Sequence, residues 1–272
     1  MTQGRIKDAP TAPSPRFWRP AAWLVLLLVA SGALAFWHAD WRLDAGRRWD
    51  ERFSLRNAEF LLAGWGRPQN AYYPGLSFLP AAAAFAVVNR IARVSGSEPP
   101  IRIHGDHASP MAYLVARLLS VIFMLLALVL TYRVGALCCD RWTGLMATAL
   151  LAFSPQVLDK GSIFKPDILL LATTLAAVWL AIRALEAPSM GRFLLAGAAI
   201  GVAMSAKYNG GPAAFSLVVA AALALRTEMR AWRWLLAAAL AAAAVFVLLN
   251  PWLVTHPEIY RRAYHFQIAH YQ

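Results

Sequence analysis

The chain is poor in charge and in cysteine. Of its 272 residues only 15% are charged, with 14 Asp and Glu against 26 Lys and Arg, while 60% are hydrophobic. That balance excludes an ordinary soluble domain, in which charged residues make up roughly a quarter. The two cysteines, Cys138 and Cys139, are neighbours, which excludes a disulfide framework. At the end of an apolar block they read as packing residues. His104-Gly105-Asp106-His107 has no third spaced ligand beside it, so it reads as a polar loop, and no metal site is expected. No cofactor is expected either, with a divalent metal left open.

What the chain does have is long apolar runs. Ala21–Trp37, Leu76–Val88, Ala112–Tyr132, Thr143–Phe153, Ile168–Ile182, Phe193–Ala206, Gly211–Leu225 and Trp234–Leu249 stand out, several of them borrowing flanking residues to approach the ~20 needed to cross a bilayer. Lys and Arg flank these blocks instead of forming one patch. The formal charge of +12 therefore describes membrane-protein loops, and nucleic-acid binding is rejected. The first block ends in Ala33-Leu34-Ala35, as a cleavable signal would. It is long for such a signal and further spans follow, so it reads as a retained anchor.

Charge parity selects which blocks cross. Residues 1–20 form a basic tail that belongs in the cytoplasm. If every block crossed, Arg133, Arg141, Arg183, Arg192, Arg226, Arg230 and Arg233 would all face outward. If Leu76–Val88 stays at the surface as a juxtamembrane or re-entrant helix, all seven face the cytoplasm. The expected fold is therefore all-α, a polytopic transmembrane helix bundle with about seven crossings. A transmembrane domain spans 21–255 with a helical outer loop over 38–111, and 256–272 begin a further outer loop that reads as truncated.

Within 38–111, Asp50 precedes a run with Phe53, Ala58, Leu61, Leu62 and Trp65 near one face, ended by Gly64 and Gly66. The pattern predicts an amphipathic interfacial helix with Asp50 and Glu51 at its start. Asp50 has two readings from the residues alone: a first-turn acid satisfying free helix N–H groups, or a catalytic carboxylate.

The run WDERF, the aromatic helix after it and YYPGL resemble the first outer loop of polyprenyl-phosphate-sugar-dependent glycosyltransferases. These belong to the C-type superfamily and include protein O-mannosyltransferases and lipid A aminoarabinose transferases. The likeness continues in order through ARLLSVIFMLLALVLTYRVGAL, GLMATALLAFSP, KPDILLL and GVAMSAKYNG. It implies a membrane enzyme that moves a sugar from a polyprenyl-phosphate donor to a lipid, protein or glycan acceptor, with inversion, at the outer or periplasmic face of the plasma membrane. It implies Asp50 as general base, Glu51 as its neighbour and Asp167 as the second outer acid. Lys207 and Lys165, with Arg52 and Arg117, become candidates for the donor phosphate, and Tyr72, Tyr73, Tyr208 and Asn209 for a donor and acceptor groove. Where the aminoarabinose transferases carry a phosphate-binding lysine before the proline matching Pro74, this chain has Tyr73.

Each residue also has a plainer reading. Lys207 can complement a helix C-terminus, and Lys165 and Asp167 describe a polar helix start. Arg117 can snorkel from a span to the head groups. A transporter or flippase of lipid-linked sugars, or a non-catalytic fragment or subunit, is the alternative function. Against transport, the central helices hold few ionisable residues and no inverted repeat is visible.

Overall fold

A computed structural model describes residues 19–39, 49–64, 66–104 and 107–271, without the side chains of Arg19, Trp49, Asp50, Ile103, His104, His107, Gln267, His270 and Tyr271. The molecule is a helical bundle. Its helices are α1 (Arg19–Ala39), α2 (Trp49–Leu62), α3 (Leu79–Val94), α4 (Pro110–Cys138), α5 (Arg141–Ala152), α6 (Pro155–Gly161), α7 (Pro166–Glu186), α8 (Met190–Ala206), α9 (Ala214–Ala224), α10 (Ala231–Leu249), α11 (Trp252–Thr255) and α12 (Pro257–Tyr271). A two-residue hairpin, β1 (Ile103–His104) with β2 (His107–Ala108), interrupts them. Each of the eight predicted apolar blocks contains a helix. Among the described residues, α1, α4, α7 and α10 are long and apolar enough to cross a bilayer, and α8 and Tyr208–Ala224 are shorter apolar helices.

Small residues set how closely these helices approach. A Cβ on Gly197 would stand 2.2 Å from the Ala238 carbonyl, and one on Gly201 2.4 Å from that of Ala242. α8 and α10 therefore run parallel in backbone contact, as small-xxx-small faces permit in membranes. Gly135 meets Gly144 in the α4–α5 hairpin. Gly32 of α1 lies on Leu125 and Ala39 reaches Arg117, so α1 and α4 are antiparallel. Arg192 donates to the carbonyls of Arg183 and Ala187 across the α7–α8 turn.

Followed through the bundle, these contacts put the C-terminal ends of α1, α8 and α10 and the N-terminal ends of α4 and α7 at one end, together with α2, α3 and α12. The seven arginines of the charge count gather at the other. Large apolar side chains such as Val29, Phe36, Leu150, Phe215 and Leu240 point outward, which only a lipid surround makes tolerable. The protein is an integral membrane protein.

Three local expectations need correction. Leu76–Val88 is helical only from Leu79, and the helix runs on to Val94; Gly75–Ser77 form a separate 3-10 turn behind Pro74, and Pro80 starts α3. The inward face of α2 is Glu51, Ser54, Leu55, Asn57 and Ala58, because a buried arginine on α4 draws the acid inward. Of the expected apolar face, Ala58 is buried and Leu61 packs on the same cluster, Leu62 is exposed and Trp65 lies outside the described residues. Cys138 and Cys139 are free and exposed where α4 ends, not packed. The segment after 256, expected to begin a further outer loop, forms a helix, α12, that lies on the first loop through Ala71, Ile259 and Ala263.

Candidate active site

The first loop is anchored by backbone contacts. Asn57 of α2 takes the N–H groups of Gln69 and Asn70 on its Oδ1 at 3.0 and 3.2 Å and donates to Asn70 O at 3.1 Å. Gly64 and Gly66 supply the positive φ values, +79° and +67°, that turn the chain back after α2. Gly75 then comes so near the end of α10 that a Cβ would lie 2.0 Å from Leu249 O. Its N–H donates to the buried Asn250 Oδ1 at 2.6 Å. Asn250 Nδ2 in turn donates to Ser205 Oγ at 3.1 Å and Phe246 O at 2.7 Å. Trp252 Nε1 donates to Gly66 O at 2.7 Å, and its ring meets Phe78 at 5.7 Å.

This docking creates a cavity of about 680 Å³ between residues 71–73, the end of α8 and α12. Tyr72, Tyr73, Lys207, Tyr208 and Asn209 line it, joined by Tyr260 and Tyr264. The four residues expected to form a groove and the leading phosphate candidate thus line the same cavity. Lys207 Nζ sits 2.8 Å from Asp167 Oδ1, with both side chains partly exposed. The pair leaves two further Nζ protons to donate. Tyr208 Oη donates to Ala71 O at 2.9 Å. Burial pushes the Tyr260 phenol up to about 12, so it stays a neutral hydroxyl at ordinary pH.

Glu51 and Arg117 are elsewhere. Glu51 is 0% and Arg117 3% exposed, and they form a bidentate pair, Nε to Oε1 and Nη2 to Oε2, both at 3.0 Å. Arg117 Nη1 also donates to Ala39 O at 2.9 Å, and Phe164 N donates to Glu51 Oε1 at 2.7 Å. One buried cluster therefore joins α1, α2, α4 and the approach to α7. Phe53, two residues on from Glu51, meets Tyr72 edge-on at 5.4 Å.

Asp50 is the second residue of α2, but its side chain lies outside the described residues. Arg52 is half-buried in the same turn, and Lys165 is half-buried just before α7; neither lines the cavity. Gly105 and Asp106, with the side chains of His104 and His107, also lie outside the described residues. Sequence reasoning missed Tyr260, Tyr264 and Asn250. The tyrosine spacing of four, with Arg261 and Arg262 between them on one helix, was the available signal for the first two.

No curated protein matches the chain in sequence. Residues 111–254, just over half of the chain, match the dolichyl-phosphate-mannose-protein mannosyltransferase family; the stretch includes Arg117, Asp167 and Lys207 and ends beside the Asn250–Trp252 corner that holds the first loop. With an apolar bundle and a polar, aromatic cavity at one end of it, this chain belongs to the dolichyl-phosphate-mannose-protein mannosyltransferase family of membrane glycosyltransferases.

Proposed function

We propose that the protein transfers a sugar from a polyprenyl-phosphate donor to an acceptor hydroxyl or amine at the outer face of the plasma membrane. The observation that carries this reading is the single cavity on which Lys207, Tyr72, Tyr73, Tyr208 and Asn209 converge. The acceptor oxygen or nitrogen attacks the anomeric carbon. As that bond forms, the bond to the donor phosphate oxygen breaks, and its electron pair leaves with the polyprenyl phosphate. Direct displacement inverts the anomeric centre.

Asp50 takes the acceptor proton as general base. Position 50 lies in the first turn of α2, the helix whose Phe53 abuts the cavity wall through Tyr72. Lys207, oriented by Asp167, meets the charge developing on the leaving phosphate, with Lys165 and Arg52 as further cations at the same end. Glu51 and Arg117 are positioning residues that hold the first turn of α2. The outer-face assignment is supported by the seven arginines at the opposite end, since basic residues favour the cytoplasmic side.

The test incubates purified protein with radiolabelled polyprenyl-phosphate sugar and a panel of lipid and protein acceptors. Transfer by wild type should fall about 100-fold or more in Asp50→Asn, and Lys207→Gln should raise KM for the donor. Undiminished transfer by Asp50→Asn removes Asp50 as base. Donor movement across liposomes without transfer identifies a transporter instead.

A further inference from the structure

The outward side of α3 has no role in this chemistry. The helix buries Ala81, Ala82 and Phe85 in a cluster with Leu55 and Ala58 of α2 and Ala112, Tyr113 and Ala116 of α4. On the opposite side Val87, Ile91 and Val94 are 58%, 63% and 75% exposed. Their spacing of four and then three makes one continuous apolar stripe. Leu62, at the end of α2, is exposed beside it.

Between Leu62 and this stripe runs an open groove of about 550 Å³, which Val87 and Ile91 share with Arg90 and Arg93. The polar capacity of the groove is cationic. Asn89 is occupied by Ile101, donating to its carbonyl at 3.0 Å and accepting from its N–H at 3.1 Å. Among the described residues no acid lines the groove, and the nearby Glu98 is bonded to Arg102. Arg90 and Arg93 are both exposed.

The height of the groove narrows the choice of occupant. α3 rests on the first two turns of α4, a 29-residue span, so it lies where that span leaves the hydrocarbon and head groups begin. An apolar stripe interleaved with two arginines at that depth offers acyl-chain contact beside cationic charge. Guanidinium forks match phosphate oxygens. We propose that this groove binds an anionic glycerophospholipid, its phosphate on Arg90 and Arg93 and an acyl chain along Val87, Ile91 and Leu62. The site is separate from the aromatic cavity, and the proposal is independent of the transfer reaction.

The test is intact-complex mass spectrometry on the full chain, purified in detergent and equilibrated with equal amounts of phosphatidylglycerol and phosphatidylcholine. Wild type should retain phosphatidylglycerol in preference, and the Arg90→Gln/Arg93→Gln variant should lose that preference by roughly tenfold, since each near-surface arginine contributes to anionic-lipid attraction. Arg90→Lys/Arg93→Lys should keep most of it, and a thermal melt shows whether each variant is folded. Equal retention of the two lipids by wild type overturns the proposal, as does unchanged preference in the folded glutamine variant. So does a mass showing that a second copy of the chain covers this face.

Discussion

Removing Arg117 tests the buried cluster most directly. In Arg117→Met the Glu51 carboxylate keeps only the Phe164 N–H at 2.7 Å. It loses two charged hydrogen bonds at 3.0 Å, and Ala39 O loses its guanidinium donor. With both partners almost wholly inaccessible, solvent does not replace what is lost. Breaking such a pair from one side costs about 3–5 kcal/mol, most of it the penalty of an uncompensated buried charge. At roughly 2–4 °C per kcal/mol, the apparent unfolding midpoint in detergent should fall on the order of 10 °C. Glu51→Leu/Arg117→Met removes both charges and should recover most of that loss, because a matched apolar pair often equals or exceeds a buried ion pair in stability. The assay is a scan-rate-matched thermal melt of the wild type, both single variants and the double variant, read as a double-mutant cycle. An Arg117→Met protein that melts with wild type, or a double variant that loses the sum of its singles, refutes the reasoning.

Other outcomes follow from the packing and the cavity. Gly75→Ala should detach the first loop, since the added Cβ would lie 2.0 Å from Leu249 O; faster limited proteolysis between residues 62 and 79 is the readout. Gly201→Val should separate α8 from α10, where even a Cβ meets Ala242 O at 2.4 Å, and lower folded yield far more than Gly191→Ala, which meets nothing within 4 Å. Tyr260, raised to about 12 by burial, should keep its phenol protonated in the folded protein where the unfolded chain, near 10, ionises. This neutral phenol therefore supports folding below pH 10, and its support is lost as pH rises toward 12. A phenolate absorbance titration of wild type against Tyr260→Phe checks it: the folded transition near pH 12 should disappear in the variant, while that of Tyr208, which burial raises further, remains.

How much of this was legible in the sequence depends on the range of the forces involved. Apolar run length made the helices visible, because crossing a bilayer is a constraint on consecutive residues. The arginine count anticipated that Leu76–Val88 would stand apart, and α3 does lie with α2 and α12 at the end away from those arginines. The ordered family motifs singled out Tyr72, Tyr73, Lys207, Tyr208 and Asn209, and these five line one cavity. The partners were not legible. WDERF gives no sign that Glu51 turns inward to an arginine 66 positions away, nor does the KPD turn show that Asp167 holds Lys207 across 40 residues.

The sequence by itself determined that this is a multi-helix membrane protein, which blocks are helical and which family's motifs it carries. Those properties are written in composition, run length and local order, each readable within a short window. Only the tertiary structure decided that Glu51 is locked in a buried pair, that α12 closes the aromatic cavity, and that Gly75 must be glycine. Each of these depends on two distant backbones meeting within a few ångströms, and contact at that range follows from packing the whole bundle.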